Sequence, residues 1–211
     1  IDEDIFKIKK FLKSKKIKII EDCAHAIGAK KRGISAGNIG DIGCFSFYST
    51  KNLTTGEGGM ITCNDKSLYN IMRAYRSRGL NYNSNFEEYS ELGTNSRMTE
   101  FQAILGIQQM KRLDNITIQR NTLARNYNQI LFKQIKIKKL KNFFETEKKN
   151  NINSYWKFPL KIIKKINRVK LKKSLASKGV SIDWAYSPLI HKQKIIKKKI
   201  GIINLKKSEK Y

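Results

Sequence analysis

Acidic residues are scarce in this chain. Its 211 residues carry 17 Asp and Glu against 44 Lys and Arg, a formal net charge of +27. An excess of that size ordinarily marks a surface that binds polyanions. Here much of it lies in late runs, Lys136 to Lys141, Lys161 to Lys165, Lys170 to Lys173 and Lys192 to Lys199, whereas Glu21 to Glu100 is close to charge-balanced. Lysine alternating with Ile and Asn reads as a solvated face. Arginine interleaved with aromatics, the usual companion of a single-strand groove, is missing. The expectation is therefore no specific nucleic-acid partner.

Cysteine is sparse as well. Cys23, Cys44 and Cys63 have no metal-ligand spacing and lie in or beside apolar runs. They read as small buried hydrophobes of a reducing compartment. No run approaches the roughly 18 apolar residues of a membrane-spanning helix, and no signal peptide or internal repeat is visible. A cytoplasmic protein with no membrane partner is expected, although a start at Ile1 without Met leaves an upstream segment open. What is present suits a globular protein: 40% hydrophobic residues, with ten Phe and nine Tyr, enough for one core or two small ones.

Along the chain, Ile5, Ile8 and Leu12 recur at helical spacing behind Asp2, Glu3 and Asp4, acids that favour a helix N-terminus. Ile17 to Ile20 reads as a buried strand that ends in the pair Glu21-Asp22. After a Gly-rich loop, Cys44 to Tyr48 and Met60 to Cys63 read as strands, with a tight turn at Gly56 to Gly59. Asp65 caps one helix, Thr99 begins a second with the stripe Phe101, Ile104, Leu105 and Gln108, and Asp114 begins a third. Further on, Tyr155 to Ile163 reads as a strand, and Asn167 to Lys178 as a helix stopped by Gly179. Strands alternating with helices indicate α/β. The division expected is a large-domain portion over 1–131 and a smaller α+β portion over 132–211.

Asp22 and Lys51 each follow a short strand, and open α/β sheets bind ligands at the carboxyl ends of their strands. A lysine at one such end and an acid at another form the minimum set for pyridoxal phosphate. The amine makes the Schiff base, and the carboxylate keeps the pyridine nitrogen protonated. Taken singly, Asp22 reads as a cap, Lys51 as a solvated lysine, His25 as a structural histidine and Ser46 as a core hydroxyl. The surrounding words decide between these readings. They are Glu21-Asp22-Cys23-Ala24-His25-Ala26-Ile27-Gly28, then Phe45-Ser46-Phe47-Tyr48-Ser49-Thr50-Lys51 running on to Gly58-Gly59, then Asn95-Ser96-Arg97-Met98-Thr99-Glu100-Phe101-Gln102-Ala103.

In these three words the chain resembles the DegT/StrS-type family of sugar aminotransferases, over Ile1 to about Leu131 and more loosely at Tyr186 to His191. The resemblance implies part of a fold-type I large domain, a mostly parallel sheet with flanking helices, plus a partial α+β small domain. It also implies transamination of a nucleotide-linked keto-sugar by a donor such as glutamate, with pyridoxal phosphate as cofactor and a homodimer sharing its sites. Lys51 would be the Schiff-base lysine and proton carrier, Asp22 the partner of the pyridine nitrogen, His25 the neighbour of the phenolic oxygen and Ser46 a phosphate ligand. Asn95 would reach the cofactor phosphate of the neighbouring subunit, and Arg78 and His191 would lie near substrate. The family's N-terminal phosphate loop and stacking aromatic are not found before Asp22, so a fragment of a longer protein is expected. Three alternatives stand beside this reading. A related sugar dehydratase has histidine where Lys51 stands, which argues against it; the others are a silent or regulatory remnant and a basic nucleic-acid-binding module.

Overall fold

A computed structural model of the chain describes residues 4–134, 140–142, 151–163, 166–184 and 188–209. Helix α1, Ile5–Ser14, follows Asp4 and buries none of its residues. Strand β1, Ile20–Asp22, begins later than the apolar run suggests. Ile17 still bonds back to Leu12, and the Ile19 N–H is taken by the Asp41 carboxylate at 2.8 Å. The acid pair consequently lies inside the strand, where successive side chains point to opposite faces.

A small antiparallel pair follows, β2 (Lys30–Lys31) with β3 (Ile34–Ser35). Strand β4, Ile42–Ser46, then pairs parallel with β1, and β5, Gly59–Cys63, pairs antiparallel with β4. The described sheet is thus three-stranded and mixed, in the order β1-β4-β5, where a mostly parallel one was expected. Gly43 is required in β4: a Cβ there would collide with the backbone of Gly37, which crosses that face. Cys23, Ala29 and Ala36 form the buried cluster beside the sheet, with Ala26 and Phe45 packed on it.

Helix α2, Lys66–Arg76, is capped by Asp65, whose carboxylate accepts the N–H groups of Ser67 and Leu68. Gly79, at φ +87°, ends the turn beyond it, and a Cβ there would strike the Glu91 carbonyl. Helix α3, Glu100–Asn128, starts at Thr99 with a reciprocal capping box to Gln102 and continues into a π-helical segment, Gln129–Gln134. Asp114 does not start a third helix. It sits exposed in the middle of α3, where an acid has no need to cap. The stripe read at the start of this helix faces outward, with Phe101 87% and Ile104 58% exposed. The buried side of α3 is Thr117, Asn121 and Ala124.

The chain divides into two compact units, Ile1–Ile135 with Glu145–Phe158, and Lys136–Phe144 with Pro159–Tyr211, where a single boundary after 131 was expected. In the first unit, residues 151–158 return as an irregular segment. Ile152 exchanges backbone bonds with Lys30 at 2.8 Å, Asn121 donates to the Asn153 carbonyl and Arg120 to the Tyr155 carbonyl, both at 2.8 Å. Tyr155, the first residue of the strand expected over 155–163, takes φ +40°, and 156–157 bend. Only Leu160–Ile162 is extended; it forms β7, antiparallel to β6, Leu140–Asn142, in the second unit.

The second unit adds α4, Arg168–Ala176, capped by the Asn167 side chain and followed by Gly179 at φ +75°. A 3₁₀ turn at Ile190–Lys192 leads into α5, Lys194–Ile200, and a last short helix, α6, Lys206–Glu209. Lys170, Lys172, Lys173, Lys192 and Lys197 to Lys199 are exposed. Lys136 to Lys139, Lys164, Lys165, Tyr186 and Ser187 lie outside the described residues. No helix among the described residues is long and apolar enough to cross a membrane.

Candidate active site

Because β1 and β4 run parallel, their carboxyl ends open on one edge, and Asp22 and Ser46 are the residues that end them. The two acids of β1 divide their work. Glu21 is half-buried, and its carboxylate accepts the backbone N–H groups of Gly37 at 3.0 Å, Ile39 at 2.7 Å and Gly40 at 2.6 Å. It holds the loop that leads into β4. Asp22 is exposed; its Oδ1 accepts the Ala24 N–H at 3.0 Å, and among the described residues no cation pairs with it. One carboxylate is consumed by backbone and the other is available.

Lys51 sits half-buried in the turn after β4, with its N–H on the Tyr48 carbonyl at 2.9 Å. The turn is pinned from below by Phe47, Asn52, Leu53 and Thr55, all buried, with Leu53 only 1% exposed. Thr55 donates to the Glu57 carbonyl and Gln102 of α3 reaches the same oxygen at 3.0 Å, which shapes the Gly-rich return into β5. The Lys51 Nζ lies 4.9 Å from the centre of the Trp156 ring, and no carboxylate among the described residues neutralises it. Ser46 is half-buried, and its Oγ accepts weakly from the Tyr48 N–H at 3.4 Å.

His25 stacks on the same indole, with ring centres 3.7 Å apart and planes at 13°. Its imidazole is held below its ordinary pKa of 6.5, chiefly by burial, then by the positive charge of Lys51; Asp22 opposes this and Lys157 adds to it. The stacked face accounts for the burial of a ring that is otherwise open to water. A neutral imidazole therefore sits in the fields of both Asp22 and Lys51. The neighbouring Cys23 thiol is pushed up to about 11, first by burial and then by Glu21 and Asp22, so it stays protonated at neutral pH.

The structure thus brings Asp22, His25, Ser46 and Lys51 to one edge of the sheet. Asn95 and Arg78 lie apart from these, beyond the end of α2, where the Arg78 N–H donates to the Thr94 carbonyl at 2.9 Å. Asn95 bridges Ser77 and accepts the Arg97 N–H at 3.1 Å, while Arg78, at φ +65°, lies 3.8 Å from Glu87 and over the Tyr89 ring. Both are exposed. His191 belongs to the second unit, where its ring is buried with Nε2 3.0 Å from Glu209. Sequence reasoning missed Trp156. It stands 105 positions beyond Lys51 in a stretch without periodicity, and its scarcity, as one of two tryptophans, is the only signal it gives. All three cysteines are free, and no group of three or more metal-binding side chains occurs among the described residues.

The chain is similar in sequence and fold to known proteins. A GDP-perosamine synthase of Escherichia coli O157:H7 is 31% identical over 88% of this chain and 49% of its own length. A UDP-4-amino-4,6-dideoxy-N-acetyl-β-L-altrosamine transaminase of Campylobacter jejuni is 28% identical over 97% of the chain and 54% of its own. The solved structure of PseC from Helicobacter pylori, an aminotransferase involved in the biosynthesis of pseudoaminic acid, superimposes with a TM-score of 0.81 at 26% identity, over 99% of this chain and 55% of that one. The chain spans about half the length of these relatives. Their fold is the fold-type I α/β architecture, and the chain is a partial copy of it. The profile of one family matches residues 2–211, all but the first residue of the sequence, and the chain accordingly belongs to the DegT/DnrJ/EryC1/StrS aminotransferase family.

Proposed function

We propose that this chain supplies the lysine-bearing part of a pyridoxal-phosphate aminotransferase that transfers an amino group from a donor such as glutamate to a nucleotide-linked keto-sugar. The observation that carries the reading is the placement of Asp22 and Lys51 at one edge of the sheet, after adjacent parallel strands, neither with an ionic partner among the described residues. The donor set suits the cofactor: an amine for its aldehyde, a carboxylate for its pyridine nitrogen, and a hydroxyl, Ser46, for its phosphate. His25, neutral, suits the edge of the ring that carries the phenolic oxygen.

When bound, pyridoxal phosphate supplies an electron-withdrawing ring that stabilises charge developing on a substrate carbon. The chain's own residues do the rest. Asp22 would keep a proton on the pyridine nitrogen, and Lys51 would hold the cofactor and then carry a proton at the substrate carbon. Asn95 is assigned to the cofactor phosphate of a second subunit in a homodimer, and Arg78 and His191 to the substrate side. Two of the named relatives carry GDP- or UDP-linked amino sugars in their names, which supports a nucleotide-linked hexose and leaves the nucleotide to assay. Free cysteines support a cytoplasmic setting.

The test is borohydride reduction of the protein incubated with pyridoxal phosphate, followed by peptide mapping and a glutamate-dependent amination assay. The adduct is expected on Lys51 and is lost, with the activity, in Lys51→Ala. An adduct on a different lysine, or activity retained in Lys51→Ala, would sink the reading.

A further inference from the structure

The segment 154–156 makes three separate connections to the lysine edge. The Ser154 hydroxyl donates to the His25 carbonyl at 2.5 Å, the Asn52 amide donates to the Ser154 carbonyl at 2.6 Å, and the Trp156 indole N–H donates to the Thr50 carbonyl at 2.7 Å. The residues on both sides of Lys51 are therefore bonded to one short stretch of chain. The indole adds two contacts through its face: the His25 ring at 3.7 Å and the Lys51 ammonium at 4.9 Å, with Lys157 also near it at 4.5 Å. An aromatic face attracts a cation, and an indole N–H is a donor only, so Thr50 receives a bond that water would otherwise make.

We propose that Trp156 is a positioning residue of the lysine site: its N–H fixes the Thr50-Lys51 peptide and its face carries the His25 ring, setting imidazole and lysine amine in a defined relation. The inference rests on the reading of Lys51 as the cofactor lysine. Trp156 transfers no proton. Its role is to limit the rotamers of a long side chain that must meet an aldehyde in one geometry, and so to reduce the ordering left for the encounter. The charged groups that face His25 are Asp22, Lys51 and Lys157. Loss of the indole would return one face of the imidazole to water while leaving those charges in place.

The experiment uses the full chain and two variants, Trp156→Phe and Trp156→Leu. The His25 ring is followed by NMR titration and assigned by its disappearance in His25→Gln. In the parent it titrates below 6.5; in Trp156→Leu it moves up toward the ordinary value. Trp156→Phe retains a stacking face, so its titration stays low, but the rate of pyridoxal-phosphate capture on Lys51 falls about threefold to tenfold with the lost bond to Thr50. An unchanged titration in a folded Trp156→Leu, or an unchanged capture rate in Trp156→Phe, overturns the proposal. If Trp156→Leu does not fold, the phenylalanine variant decides. Absence of capture on Lys51 in the parent would instead remove the cofactor reading, and the His25 titration would still decide whether Trp156 positions the ring.

Discussion

The side-chain amide of Asn52 donates to the main-chain carbonyl of Ser154 at 2.6 Å, across 102 positions of sequence. Asn52 follows the candidate cofactor lysine, and it is buried. The turn that presents Lys51 is therefore held from two directions, by this bond at its flank and by Leu53 and Phe47 in the apolar layer beneath it. Its stiffness comes from contacts distant in sequence, which local turn chemistry alone does not supply.

Leu53→Ala removes the side chain that anchors this turn. At 1% exposure the substitution leaves a cavity and costs about 2–5 kcal/mol. Chemical denaturation is expected to show a lower midpoint with little change in slope, together with slower capture of cofactor on Lys51. A midpoint equal to the parent's would mean that the turn holds without its anchor.

Asp22→Asn is expected to retain cofactor binding and to lose turnover by on the order of a hundredfold or more, because an amide cannot hold a proton on the ring nitrogen. Absorbance of the bound cofactor and steady-state kinetics measure the two effects separately. Turnover within a few-fold of the parent would reduce Asp22 to a capping acid for Ala24.

Cys23 lies next to Asp22 but is a poor nucleophile. Burial and the charges of Glu21 and Asp22 place its thiol at about 11, so the thiolate is rare at neutral pH and grows as pH rises toward that value. Alkylation with iodoacetamide at pH 8, followed by peptide mapping, is expected to leave Cys23 largely unmodified. In Glu21→Gln, which removes one of the charges that raise the thiol, it should react faster at the same pH.

In the second unit Glu209 holds the last helix against the 3₁₀ turn. Lys192 at 2.9 Å, His191 at 3.0 Å and the Leu205 N–H lower its carboxyl from 4.5 to about 2. A carboxyl depressed on folding contributes stability that is complete above its unfolded value and is lost as pH falls through the folded one. The difference in thermal stability between the parent and Glu209→Gln is expected to hold from pH 7 to about 5 and to shrink toward pH 2. A difference that does not change with pH would show that the ion pairs contribute nothing.

The helix starts were legible because caps act within three residues. Asp65, Thr99 and Asn167 each bond the backbone just ahead of them, and the sequence displays donor and acceptor together. Asp114 misled for the same reason. An acid in an exposed turn of a long helix has the look of a cap, and only the continuity of α3 through Thr117, Asn121 and Ala124 shows otherwise. Of the strand expected over 155–163 only Leu160–Ile162 forms, because Tyr155 takes a positive φ and 156–157 bend, which no alternation of apolar side chains announces.

By itself the sequence determined the order of the chemistry: an acid after one strand, a hydroxyl within the next, and a lysine beyond it. Their roles were legible only from the three sequence words taken together. Tertiary structure supplied the physical reason to prefer Asp22, since Glu21 is taken by three amides from 37–40 while Asp22 is exposed. It also decided that Trp156 underlies His25 and stands beside Lys51. Those contacts depend on loops closing over roughly a hundred residues, and their partners share no spacing that a local pattern could record.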